Sequence, residues 1–129
     1  MVDTTRHAVY NINYPFVFCP KYRRPVLTGM VGDRLFELIH EIARDWGGQV
    51  LELVIRPDHV HLFATFPPTI AAYQIMHRIK GRTSHALREE FPFLKSRLPS
   101  LWTRSYYVGT AGVVSSETIR KYIEAQAGN

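Results

Sequence analysis

The chain has one cysteine, Cys19, in 129 residues. That excludes an internal disulfide framework and any zinc site built from several thiolates. No apolar run approaches the roughly 18 residues that a membrane span requires. The opening Met1-Val2-Asp3-Thr4-Thr5-Arg6 lacks the layout of a signal peptide. No glycine-rich ATP-binding loop, internal repeat, low-complexity tract or linker appears. Acidic residues are the minority, 11 against 16 Lys and Arg, leaving a net charge of +5 that suits a polyanionic partner. With 46% hydrophobic residues, the expectation is one soluble domain over residues 1–129, off the membrane and cytoplasmic.

What is present centres on Pro57-Asp58-His59-Val60-His61-Leu62-Phe63. Val60 to Phe66 reads as a strand, in which residues i and i+2 share a face. Val60, Leu62, Ala64 and Phe66 then form an apolar face. His59, His61, Phe63 and Thr65 share the other, where two imidazoles can converge on one metal ion. Two hydrogen-bonded histidines on a half-buried strand would give the same pattern.

Upstream, His7 to Cys19 predicts a long strand with a stripe of Tyr10, Ile12, Tyr14, Phe16 and Phe18. Pro15 cannot donate a ladder bond, so an edge or bulge is expected there. In the loop Cys19 to Pro25, Lys21, Arg23 and Arg24 around Tyr22 could clamp phosphates while the ring stacks on a base. A solvated loop would have the same composition.

Asp33 to Trp46 predicts a helix with Leu35, Leu38, Ile39, Ile42 and Trp46 on one stripe, ended by Gly47-Gly48. Val50 to Arg56 follows as a strand with Leu51, Leu53 and Ile55 alternating, paired through the Pro57-Asp58 turn as a hairpin. Thr69 is positioned to cap a second helix. Its apolar face is Ala72, Ile75, Met76, Ile79, Thr83 and Ala86 or Leu87. Arg78, Arg82 and His85 lie opposite, with Lys80 and Arg88 nearby, a face that either meets nucleic acid or is simply solvated. Gly81 in mid-helix suggests a kink or a close approach by a ligand. Phe91 to Pro99 reads as a short helix or turn, and Leu101 to Val108 as a fourth strand. Gly109 to Gly112 reads as a flexible joint. Ser115 or Ser116 would cap the last helix, with Glu117 in its first turn.

Six elements in the order strand, helix, strand, strand, helix, strand spell an α+β, ferredoxin-like (RRM-like) antiparallel sheet, with one helix appended. That last helix puts Tyr122 and Gln126 at i and i+4 on one face. They form either an ordinary packing stripe or part of a site. In the second case Gln126 lends an amide oxygen to a metal held by His59 and His61, and Tyr122 presents its hydroxyl to a phosphate. Such an N2O set with open positions suits Mg²⁺ or Mn²⁺.

Taken together, Lys21-Tyr22-Arg23-Arg24, Pro57 to Leu62, Lys80-Gly81-Arg82, Leu101-Trp102 and Tyr122-Ile123-Glu124-Ala125-Gln126 resemble the HUH single-tyrosine transposases of the smallest bacterial and archaeal insertion sequences. Pro15 and Phe18 depart from the pattern. The resemblance implies a metal-dependent nickase and strand transferase acting on single-stranded DNA with short hairpins. It implies His59, His61 and Gln126 as metal ligands, Tyr122 as nucleophile, and Asp58 as a turn or supporting residue. It also implies a homodimer whose sites join the histidines of one chain to Tyr122 of the other, in a prokaryotic nucleoid. Contacts to DNA would come from Lys21, Tyr22, Arg23, Arg24, Arg78, Lys80 and Arg82. Two rival readings are a domesticated hairpin-DNA nickase with the same residues, and a silent RRM-like module stacking bases on the first strand.

Overall fold

The computed structural model describes residues 11–109 and 116–128. Strand β1 (Ile12–Phe18) leads through a short 3-10 turn (Lys21–Arg23) to helix α1 (Gly29–Asp45). The hairpin β2 (Gln49–Arg56) and β3 (His59–Phe66) follows, then α2 (Ala72–Glu90), α3 (Phe93–Arg97), β4 (Tyr107–Val108) and α4 (Ser116–Ala125), closed by a 3-10 turn (Gln126–Gly128). The sheet is antiparallel in the order β2-β3-β1-β4, which is the expected ferredoxin-like topology with an appended helix. Among the described residues no helix is long and apolar enough to cross a membrane.

The core lies between one face of this sheet and α1 and α2. Val60, Leu62, Ala64 and Phe66 are all buried, as the alternation of β3 requires. Phe16 and Phe18 point into the same core at 1% and 0% exposure, with Tyr14 stacked on Phe16 and Phe18 edge-on to Trp102. Phe16 and Phe18 are therefore core residues, with Tyr14 packed against them, and these rings are not free to stack on bases. His7 to Tyr10, the expected start of this strand, lie outside the described residues.

Pro15 sits in the interior strand, paired with Phe63. Its carbonyl accepts from Gly109 N at 3.0 Å. The backbone N and C=O of one strand residue face the same neighbour, so the missing donor falls on the β4 side, where the ladder ends at Val108.

Several boundaries differ from the sequence pattern. Helix α1 starts a turn before Asp33, because Val31 extends the stripe of Leu35, Leu38, Ile39 and Ile42 and is buried. In β2 a register shift between Val50 and Glu52 expels Leu51 to the exterior. Val50, Leu53 and Ile55 pack on the core instead; the bulge inserts one residue and breaks the period of two. Thr69 lies in a turn rather than at a helix cap. Helix α2 is capped by Gln74, whose Oε1 accepts from Ala71 N at 2.9 Å.

The expected strand Leu101 to Val108 shrinks to its last two residues. Trp102 instead turns inward, forms an isolated bridge with Pro20, and donates Nε1 to Thr83 Oγ1 at 3.0 Å. The joint residues 110–112 and the cap at Ser115 lie outside the described residues, as do the side chains of Ser116 and Glu117.

Two glycines give opposite expectations. A Cβ on Gly48 would stand 2.5 Å from Phe66 Cδ1 and from the Thr65 carbonyl oxygen, whereas one on Gly81 would meet nothing within 4 Å. Helix α2 runs through Gly81 without interruption. Gly48→Ala is expected to destabilise by about 1–3 kcal/mol through overpacking. Gly81→Ala is expected to stabilise by about 1 kcal/mol through helix propensity. Urea unfolding of the two variants checks both signs.

Candidate active site

Because β3 alternates, fixing Val60 and Leu62 in the core leaves His59 and His61 no choice of face. Their rings lie 5.1 Å apart between centroids. The two-residue turn Pro57-Asp58 places the Asp58 carboxylate beside them. Asp58 Oδ1 lies 2.8 Å from His59 Nδ1, and Oδ2 accepts from Arg23 Nε at 2.8 Å. An ionised carboxylate can only accept, so Nδ1 of His59 carries the proton and the Nε2 lone pair is left for a ligand.

Burial works to raise the Asp58 carboxyl, but His59 and Arg23 together hold it below the ordinary carboxylate range. Burial also pushes His61 down, helped by the charges of His59 and Arg56 and opposed by Glu52. A depressed His61 is neutral at physiological pH, as metal ligation demands. The pair faces a cavity of about 420 Å³ lined also by Arg23, Asp58 and the α4 residues Ile119, Arg120, Ile123 and Glu124. Two convergent imidazoles with one tautomer fixed fit two positions of a divalent-metal site.

Tyr122 and Gln126 share a face of α4, but not the one that lines this cavity. Gln126 is 5% exposed and donates Nε2 to the Tyr122 carbonyl at 3.1 Å. Its Oε1 accepts from Ser105 Oγ at 2.9 Å. That commits the serine proton, so at the 3.3 Å contact between Ser105 Oγ and Tyr122 Oη the phenol is the donor. Burial raises the Tyr122 hydroxyl above its ordinary value. The structure therefore brings His59 and His61 together, and Tyr122 and Gln126 together, as two separate groups.

Ser105 is the residue that the sequence pattern did not single out. It stands 17 positions before Tyr122, a separation that matches no helix or strand period. The loop that presents it is held by Lys80, whose Nζ donates to the carbonyls of Thr103 at 2.7 Å, Ser105 at 2.8 Å and Arg104 at 3.4 Å. Burial pushes the Lys80 ammonium down to about 8, while the facing carbonyls favour its charged form. Lys80 is thus turned inward from the basic face on which it was expected.

Arg78 lies over the Trp46 ring at 5.0 Å, and Arg82 pairs with Asp45 at 2.9 Å. Both border a depression of about 470 Å³ that Gly81 leaves open. In the basic loop, Lys21 and Arg24 flank the Tyr22 ring at 5.3 and 6.0 Å, and the ring is 42% exposed. Arg23 alone of this cluster points to the histidines.

The family model described as transposase, IS200-like, matches residues 8–126. The ISDra2 transposase TnpA of Deinococcus radiodurans is 35% identical over 123 residues, covering 94% of this chain and 88% of its own length. The transposase for insertion sequence element IS200 of Salmonella typhimurium is 31% identical over 122 residues, covering 93% and 80%. Among solved structures, a chain from Deinococcus radiodurans R1 described as a transposase superposes with a TM-score of 0.88 at 30% identity, over 98% of this chain and 99% of its own. A REP-associated tyrosine transposase bound to a REP hairpin superposes at 0.60 and 18% identity, over 96% and 69%, a likeness of fold.

Replacing Lys80 by Met keeps the stem and removes the three donors. The stranded carbonyls of residues 103–105 are expected to cost about 1–3 kcal/mol. Thermal unfolding measures the loss, and hydrogen exchange should localise it to the Ser105 loop.

Proposed function

The chain belongs to the IS200-like transposase family, and on that premise we propose that it nicks single-stranded DNA and transfers the strand through Tyr122. The observation that carries this reading is the His59–His61 pair, tautomer-fixed by Asp58 on an open cavity. These histidines would hold Mg²⁺ or Mn²⁺, with Gln126 as a third ligand. The cation would neutralise charge on the scissile phosphate.

The remaining chemistry belongs to the chain. Tyr122 Oη attacks phosphorus in line, the bond to the 3′-oxygen breaks, and a 5′-phosphotyrosine forms. The proton lost by the phenol is balanced by the one taken up by the departing 3′-oxygen. The phosphodiester energy is kept in the covalent link, so a second 3′-hydroxyl can attack and join strands without ATP.

Tyr122 and Gln126 face Ser105 in their own chain, while a different face of α4 lines the histidine cavity. This supports a homodimer in which each histidine pair is completed by Tyr122 and Gln126 of the partner subunit. One turn of helix joins the two residues rigidly, so they would move together. The DNA ligand is proposed to carry short hairpins, as does the ligand of the REP-associated fold relative. Backbone contacts would come from Lys21, Tyr22 and Arg24 at the loop and from Arg78 and Arg82 beside Gly81, with Lys80 supporting from beneath.

Tyr122→Phe is expected to retain fold and DNA binding and to lose the covalent protein–DNA adduct, read on a denaturing gel; an adduct in this variant would refute the nucleophile. Mixing inactive His59→Ala/His61→Ala protein with inactive Tyr122→Phe protein is expected to recover cleavage. Only a shared site leaves one complete set of residues in each mixed dimer. Verified subunit exchange without recovery would overturn the shared site.

A further inference from the structure

We propose that Arg23 is a catalytic residue of this reaction, its Nη groups contacting the scissile phosphate in the cavity that His59 and His61 line. The inference rests on the strand-transfer reading above and adds a residue to it.

A guanidinium carries five N–H donors in one rigid plane. In Arg23 the Nε donor is held by Asp58 Oδ2 at 2.8 Å. The Nη donors have no hydrogen-bond partner among the described residues. The side chain is 32% exposed and borders the 420 Å³ histidine cavity. With one edge tied to the carboxylate that orients His59, the other edge is aimed in advance. A planar pair of donors is what a phosphate accepts bidentately.

The backbone independently reports that this placement is enforced. Tyr22 and Arg23 both occupy the left-handed region, with φ of 58° and 53°. Neither is glycine, and each such residue costs about 1–2 kcal/mol. The corner turns Arg23 back toward the hairpin, whereas Lys21 and Arg24 stay beside the Tyr22 ring. A residue that only gripped the DNA backbone would need no such corner.

During transfer the Tyr122 Oη–phosphorus bond forms as the bond to the 3′-oxygen breaks, and negative charge spreads over the non-bridging oxygens. A guanidinium already in place stabilises that charge without reorganising. Arg23 should therefore act on the rate more than on DNA affinity.

The test compares wild type, Arg23→Ala and Arg23→Lys as intact protein. The substrates are single-stranded oligonucleotides from the DNA flanking its own gene, with either a native phosphate or a neutral methylphosphonate at the cleaved position. On native DNA, Arg23→Ala is expected to slow single-turnover cleavage by about 100-fold while the Kd for DNA changes far less. On the methylphosphonate the gap to wild type should collapse, because the charge Arg23 meets is gone. Added guanidinium should restore part of the Arg23→Ala rate. Equal losses on both substrates would overturn the proposal, since Arg23 would then act only by holding Asp58 and His59. Unimpaired cleavage by Arg23→Ala would overturn it too.

Should Arg23→Ala not fold, Arg23→Lys carries the comparison. It keeps a cation without the bidentate edge, and its loss must again be larger on native phosphate. Mn²⁺ affinity of Arg23→Lys, titrated without DNA, should match wild type, and a loss of tenfold or more would overturn the proposal. Failure of wild type to cleave would instead remove the strand-transfer reading itself.

Discussion

Strand β3 cannot slip by one residue without exchanging its histidines for its core. Val60, Leu62, Ala64 and Phe66 face α1 and α2, and His59 and His61 take the other side. A one-residue shift would bury two imidazoles and expose four apolar side chains, at about 1.5–3 kcal/mol for each large one. The hairpin turn then sets Asp58 beside His59, and β1 sets Arg23 within reach of Asp58. The site is precise because the register that makes it is the register that makes the core.

Helix α4 is held differently. It packs on β1, its Tyr122 ring lies 6.3 Å from that of Tyr107, and Tyr122 and Gln126 both meet Ser105, whose loop depends on the Lys80 ammonium. One cation answers three carbonyls that would otherwise have needed a strand partner. The fourth strand is short for the same reason: Trp102 is drawn into the core by Thr83 and Phe18, and the backbone after it turns to Lys80 rather than to a ladder. The tyrosine and the histidines are thus positioned by different parts of the chain.

The basic residues divide in the same way. Arg23 is fixed by a carboxylate and a strained corner, while Lys21 and Arg24 remain at an exposed aromatic ring. Arg82 is paired across to Asp45, and Arg78 rests on Trp46, both at the rim of an open depression. A +5 charge read from composition treats these cations alike, although they are held in quite different ways.

What the sequence determined by itself follows from short periods. Alternation in β3 assigned the histidine face, the 3.6-residue period gave the buried stripes of α1 and α2, and the order of elements gave the sheet topology. The pattern of short motifs, taken in order, pointed to the family. Where a local feature broke a period, the sequence was misleading: the bulge expelled Leu51, and Val31 began α1 earlier than Asp33 suggested. What only the tertiary structure decided were contacts between residues far apart in the chain. These are the inward turn of Lys80, the Arg23–Asp58–His59 relay, and the Ser105 hold on Tyr122 and Gln126. No periodicity links residues 23 and 58, or 105 and 122. Their pairing is set by where the packed sheet brings the chain past itself, and a side chain's partner in such a pair becomes defined only when the core has closed.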